Sequence, residues 1–263
     1  MRQPIVAGQF YPESKNELEK QVKCFLKIKQ DKSIKAAIMP HAGYVFSGKC
    51  AGKVYSVLPG AETYVILGVN HNGLGKDIAI SLEDFETPLG IVRNDNELGK
   101  EILRLLKIDE DNNAHKCEHS IEVQLPFLQV SQKDFNILPI ILKNYNLDVC
   151  KKLAKVIVDS ANKLNRKIIV LASSDFTHAG PNYGFFGNIN IDKKAIAEIL
   201  KFNTKRFMET AEQTTICGAG AIATAIEYAK LAGAKKGKLL EYHDSSKIMP
   251  GENKVGYAGI AFS

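Results

Sequence analysis

Apolar residues along this chain follow two alternating rhythms. Short runs rich in β-branched side chains, stopped by Pro, Gly or Asn, read as buried strands. Between them lie longer stretches in which apolar positions recur every third or fourth residue, the signature of amphipathic helices. The runs predict strands over 36–39, 63–69, 77–81, 136–141, 167–172, 238–242 and 255–262. The periodic stretches predict helices over 14–29, 47–58, 95–107, 147–164, 190–201 and 217–232. In the first helix Leu18, Val22, Phe25 and Leu26 share one stripe behind a Ser14 cap. Ser47 caps the second, and Asn94-Asp95 caps the third ahead of an acidic first turn. Residues 85–92, with Pro88 and Gly90 at the bend, have the pattern of a hairpin. Residues 119–130 look helical but contain Pro126, so a kink or an early stop is expected. Strand–helix alternation dominates, and no repeat or Pro/Ser-rich linker interrupts it. The prediction is one α/β domain over 1–263, a three-layer fold whose largely parallel or mixed sheet has helices on both faces.

Composition narrows the function classes. Hydrophobic residues make up 45% and charged residues 24% of the chain, ordinary for a soluble globular protein. The net charge is +6, but the basic residues are spread out. Their densest cluster, Lys235-Lys236-Gly237-Lys238, suits the solvated end of a helix, so no nucleic-acid partner is indicated. No apolar stretch approaches the ~20 residues of a membrane span. Met1-Arg2-Gln3-Pro4 lacks the apolar core of a signal peptide, and a cytoplasmic location is expected. The five cysteines are odd in number, scattered and without a CxxC pair, so neither a disulfide framework nor a zinc ribbon is expected. P-loop, GxGxxG, GxSxG and HExxH motifs are absent, which removes most support for nucleotide hydrolysis, dinucleotide redox and α/β-hydrolase chemistry.

What remains is a recurrence. Apolar runs end and deliver histidines flanked by turn formers: Pro40-His41-Ala42-Gly43-Tyr44, then Asn70-His71-Asn72-Gly73, then Ser173-Ser174-Asp175-Phe176-Thr177-His178. Strands running the same way in an open sheet gather their carboxyl ends where ligands bind. Asp175 and His178 have the spacing of one helical turn, in which the carboxylate could set the imidazole's tautomer. Cys217, before the Ala-rich stretch, is placed where a helix N-terminus favours a thiolate. His119 and Glu122, also three residues apart, offer a second acid–base pair. His115 and His243 lack such a setting and read as structural or solvated. Two imidazoles and a thiolate form a mixed N/S set suited to Fe(II), Zn(II) or copper rather than Mg or Ca.

These segments resemble the MEMO family, the mediators of ErbB2-driven cell motility. The similarity runs through Gly8-Gln9-Phe10-Tyr11-Pro12 and the His41 and His71 loops. It continues through Phe85-Glu86-Thr87-Pro88-Leu89-Gly90, Glu118-His119-Ser120-Ile121-Glu122-Val123-Gln124-Leu125-Pro126, the Asp175–His178 segment, Thr215-Ile216-Cys217-Gly218 and Val255-Gly256-Tyr257-Ala258. The resemblance implies a fold similar to class III extradiol ring-cleaving dioxygenases, which use non-haem iron(II). It implies His41, His71 and Cys217 as metal ligands, with Asp175 and His178 in the same cleft. Cys217 departs from the two-His-one-carboxylate set of those dioxygenases, and a thiolate is itself oxidisable. The resemblance also implies AMMECR1-like and radical-SAM proteins as partners.

The leading expectation is a metal-dependent oxidoreductase, Fe(II) held by His41, His71 and Cys217, acting on a small aromatic or otherwise activated substrate. His178, oriented by Asp175, serves as general acid or base, supported by His119 and Glu122. One alternative is a binding module that captures a peptide or phosphorylated ligand in the same cleft. Another uses Cys217 as nucleophile with His178 as base, giving hydrolysis or acyl transfer without metal.

Overall fold

The computed structural model describes residues 1–263. Its centre is a mixed eight-stranded sheet. Four parallel strands form the middle: β1 (Ala36–Met39), β2 (Thr63–Val69), β6 (Asn136–Leu142) and β7 (Ile168–Ser173). Their order is β6-β2-β7-β1. Antiparallel β3 (Ile78–Ile80) closes one side, and β10 (Lys254–Phe262) lies antiparallel on β1 at the other. β10 also pairs with β8 (His178–Ala179) and β9 (Gly237–Asp244). Strands β4 (Phe85–Thr87) and β5 (Gly90–Val92) form the separate hairpin anticipated at Pro88 and Gly90.

The central strands are apolar on both faces because both faces are covered. Ile38, Val65 and Leu67 pack with α3 (Asn96–Leu106), α5 (Leu147–Lys163), α6 (Ile191–Leu200), α7 (Thr204–Ala211) and α8 (Ala219–Leu231). Met39, Tyr64 and Ile66 point the other way, into a cluster with α1 (Lys15–Phe25), α2 (Tyr44–Tyr55) and α4 (Leu125–Ser131). The three-layer α/β architecture is therefore observed. No helix is long and apolar enough to cross a membrane.

Several boundaries differ from the sequence expectation. α1 ends at Phe25, since Leu26 is extended and Lys27 N–H donates to Ser56 Oγ instead of continuing the helix. α2 starts at Tyr44 behind Gly43, so Ser47 lies inside it and its hydroxyl donates to Ala42 O. Asp95 does cap α3, accepting from Leu98 N–H. Pro126 neither kinks nor stops a helix. It occupies the first turn of α4, where its missing N–H is not needed. Helix α7 was not anticipated, although Asn203 caps it by accepting from Arg206 N–H.

Residues 174–178 are not a helical turn. Phe176 N–H donates to Gly256 O, Gly256 N–H donates to Thr177 O, and Val255 pairs with His178. Pairing with β10 holds this segment extended. Asp175 and His178 therefore lack the shared helical face that their spacing suggested.

Candidate metal centre

Parallel β1, β2 and β7 end together, and their following loops meet in a cleft of about 570 Å³. His41, His71, His119, Asp175 and His178 all line it. Phe10, Phe46, Tyr183 and Tyr257 supply aromatic walls.

His41 is fully defined by its neighbours. Its backbone N–H donates to Asp175 Oδ1 at 2.8 Å. The Ser173 hydroxyl gives its one proton to Ser120 O (2.6 Å) and accepts from Gln124 Nε2 (2.9 Å). His41 Nδ1, 3.0 Å from Ser173 Oγ, must then be the donor, which leaves Nε2 with a free lone pair. Burial, reinforced by the neighbouring His71 and His119, holds His41 well below the ordinary histidine pKa. It is a neutral imidazole.

His71 is held by Glu118. Carboxylate Oε1 accepts from ring Nδ1 at 2.9 Å, and Oε2 accepts from the His71 backbone N–H at 2.8 Å. Glu118 Oε1 also accepts from Ser120 N–H. Burial alone would lower the His71 pKa, but the Glu118 carboxylate outweighs it and the net shift is upward. Burial likewise opposes the Glu118 charge, yet the bonds from His71 and Ser120 bring its pKa down to about 2. A carboxylate–imidazole pair of this kind fixes the ring and raises the basicity of its other nitrogen.

Cys217 lies just ahead of α8, with its Sγ 3.3 Å from His41 Nε2. It can come this close because residue 218 is glycine. A Cβ there would meet Ser174 Cβ at 2.5 Å and Ser173 O at 2.8 Å. The expected stabilisation of a thiolate by the helix N-terminus does not prevail in the free chain. Burial, and then the Asp175 charge, push the thiol up from its ordinary value.

The ligand atoms of His41, His71 and Cys217 all lie within 4.8 Å of one another. An ion ~2.1 Å from a nitrogen and ~2.3 Å from a sulfur, at angles between square and tetrahedral, sets those atoms about 3.1–3.6 Å apart. The 3.3 Å between His41 Nε2 and Cys217 Sγ falls inside that range. With both Nδ1 atoms engaged elsewhere and both Nε2 atoms free, the donor set fits a transition-metal ion.

The other expected residues divide. Asp175 is buried, with its pKa raised by burial, and belongs to the cleft through His41. His178 also belongs there, but Asp175 does not orient it. His178 Nδ1 lies 3.2 Å from Thr215 O, and its backbone N–H donates to Thr215 Oγ1. His119 stacks on His71 with ring centroids 4.7 Å apart, and the Phe10 ring packs tilted against it at 4.8 Å. Burial lowers its pKa.

The expected His119–Glu122 pair does not form. Glu122 is wholly buried away from the cleft, where it accepts from Arg2, from Ile5 and Val6 N–H, and from the Tyr11 hydroxyl. The carboxylate beside His119 is Glu118, with Oε1 3.5 Å from His119 Nδ1. Sequence reading gave Glu118, Ser173, Gln124 and Thr215 no role in the site. Only the position of Glu118 directly before His119, in a polar cluster ahead of an apolar stretch, could have marked it. His115 and His243 are structural, each bonded through Nε2 to a backbone carbonyl, of Ala79 and Phe46 respectively.

The chain is thus a three-layer α/β domain whose cleft gathers the donor atoms of His41, His71 and Cys217. The chain belongs to the Memo-like protein family, whose profile matches residues 2–261. A MEMO1 family protein of Archaeoglobus fulgidus is 40% identical over 100% of this chain and 99% of its own length. One from Pyrococcus abyssi is 42% identical over 99% of this chain and 98% of its own. A third, from Methanosarcina barkeri, is 40% identical over 99% of both chains.

Proposed function

We propose that this chain is a metal-dependent oxidoreductase acting on a small aromatic or otherwise activated substrate, with Fe(II) held by His41, His71 and Cys217. The observation that carries this reading is the convergence of those three donor atoms, each imidazole locked at Nδ1 by a separate partner. A mixed N/S set also accommodates Zn(II) or copper. When bound, a redox-active ion would supply electron transfer and polarise a coordinated substrate oxygen. The resemblance to extradiol dioxygenases favours iron, although sulfur stands where those enzymes carry a carboxylate.

The remaining side chains bind substrate and handle protons. His178, with Nδ1 turned to Thr215 O, presents Nε2 to the cleft and can take or return a substrate proton. His119 adds a second imidazole on the same wall. Asp175 fixes the His41 backbone from its buried position. Aromatic walls exclude water and offer a flat ring its contacts. A reducing cytoplasm would keep Cys217 available, and the AMMECR1-like and radical-SAM proteins suggested by resemblance fit a redox role.

The two rival readings have less support. A phosphorylated ligand is ordinarily clamped by Arg or Lys, and neither lines this cleft. A Cys217 nucleophile with His178 as base needs a thiolate, whereas burial drives the Cys217 thiol towards its neutral form and its Sγ contacts His41 Nε2 at 3.3 Å. Anaerobic reconstitution with Fe(II) tests the leading reading. Wild-type protein should retain one iron per chain after desalting and His41→Ala should retain almost none. Equal retention by both would remove His41 from the metal site.

A further inference from the structure

The outer half of the cleft differs in chemistry from its floor. Two loops build it, one following β8 and one preceding β10. They are locked together, because Asn182 N–H donates to Asn253 Oδ1 at 2.9 Å. Gly180, at φ +119°, lies so close that a Cβ there would meet Glu252 O at 2.6 Å. Tyr183 comes from the first loop and is 43% exposed, its ring edge-on to His178 with centroids 5.2 Å apart. Met249 and Glu252 come from the second.

Glu252 is exposed and forms no ion pair or side-chain hydrogen bond, although the chain carries a net charge of +6. No lysine or arginine lines the cleft. The mouth therefore offers one unpartnered carboxylate near the rings of Tyr183 and Phe46, while Tyr257 lines the buried part of the cleft. An aromatic face attracts a cation through its quadrupole, and a nearby carboxylate adds to that attraction. An anionic substituent at the same place would meet Glu252 with no lysine or arginine of the cleft lining to offset it, Lys254 facing the adjoining groove.

Resting on the oxidoreductase reading for the orientation of the ligand, we propose that the cleft selects an aromatic molecule bearing a positively charged amine. Its ring lies between the aromatic walls, towards the histidines. Its ammonium sits at the mouth, against Glu252 and the face of Tyr183. Tyr183 and Glu252 are thus specificity-determining residues that do not touch the metal ligands.

Calorimetric titration of the full chain, with and without bound Zn(II), tests this using probes of matched size. Phenethylamine carries the cation without metal-binding hydroxyls, phenylacetate carries the opposite charge, and dopamine and catechol add the hydroxyl pair with and without the amine. Cation–π and carboxylate attraction at a part-exposed site together predict about tenfold tighter binding of phenethylamine than phenylacetate, and of dopamine than catechol. Glu252→Gln should remove most of that preference and Tyr183→Leu a smaller part. Zn(II) affinity should stay unchanged in both, and added salt should narrow the preference.

Equal binding of amine and acid probes, or a preference that survives Glu252→Gln, would overturn the proposal. So would the absence of measurable amine binding. If the charge preference appears but no loaded form oxidises any hydroxylated probe, the oxidoreductase reading fails and the cation selectivity stands.

Discussion

Replacing Glu122 by Gln separates a structural carboxylate from a catalytic one. Glu122 is wholly buried and neutralises Arg2, itself only 5% exposed. It also accepts from Ile5 N–H, Val6 N–H and the Tyr11 hydroxyl, so it anchors the N-terminal arm that carries Phe10 onto His119. Glutamine keeps the volume but leaves the Arg2 guanidinium buried without a counter-charge. Removing one partner of a buried pair costs about 3–5 kcal/mol. An unfolding entropy of ~2.1 cal/mol/K per residue gives about 0.55 kcal/mol/K for a chain of this length, so about 4 kcal/mol lowers Tm by about 7 °C. Thermal melts followed by circular dichroism read that shift. Iron retention measured well below the lowered Tm should match wild type. A Tm drop under about 2 °C, or loss of iron binding by a fully folded variant, would refute this assignment of Glu122.

Other consequences follow from the same geometry. Glu118→Gln keeps an acceptor near His71 but removes the charge, and metal affinity in a competition titration should fall about 10–100-fold with the fold intact. Gly218→Ala places a methyl against Ser174 and Ser173 O, so Cys217 must move away from His41; tight metal binding should be lost while far-ultraviolet circular dichroism is retained. Burial brings the His115 pKa down from 6.5 to about 4. The unfolded chain therefore takes up that proton first on acidification, and stability complete above pH 6.5 is lost as pH falls towards 4. A difference of about 2.5 pKa units corresponds to about 3 kcal/mol. His115→Gln should flatten that part of a urea-measured stability profile, whereas an unchanged slope would contradict it.

Much of this arrangement was legible in the sequence because local rules governed it. The strand runs and the His41 and His71 loops are punctuated by Pro, Gly and Asn, and the chain folds there as those residues dictate. Errors arose where distant partners overrode spacing. Asp175 and His178 have helical separation, but pairing with β10 makes their segment extended. His119 and Glu122 have it too, but Arg2, some 120 residues away in sequence, claims the Glu122 carboxylate. Ser47 resembles a cap, yet α2 begins three residues earlier, at Tyr44. The roles of Glu118, Ser173 and Thr215 depend on which loops face each other across the strand ends. Strand order determines that, and no periodicity carries it.

Cobalt(II) substitution of the anaerobic protein probes the central claim most directly, because thiolate coordination gives Co(II) an intense sulfur-to-metal charge-transfer absorption. One Co(II) per chain showing that band, with the band abolished in Cys217→Ser and in His41→Ala, is the result predicted here. Stoichiometric Co(II) binding with a spectrum untouched by Cys217→Ser would contradict it.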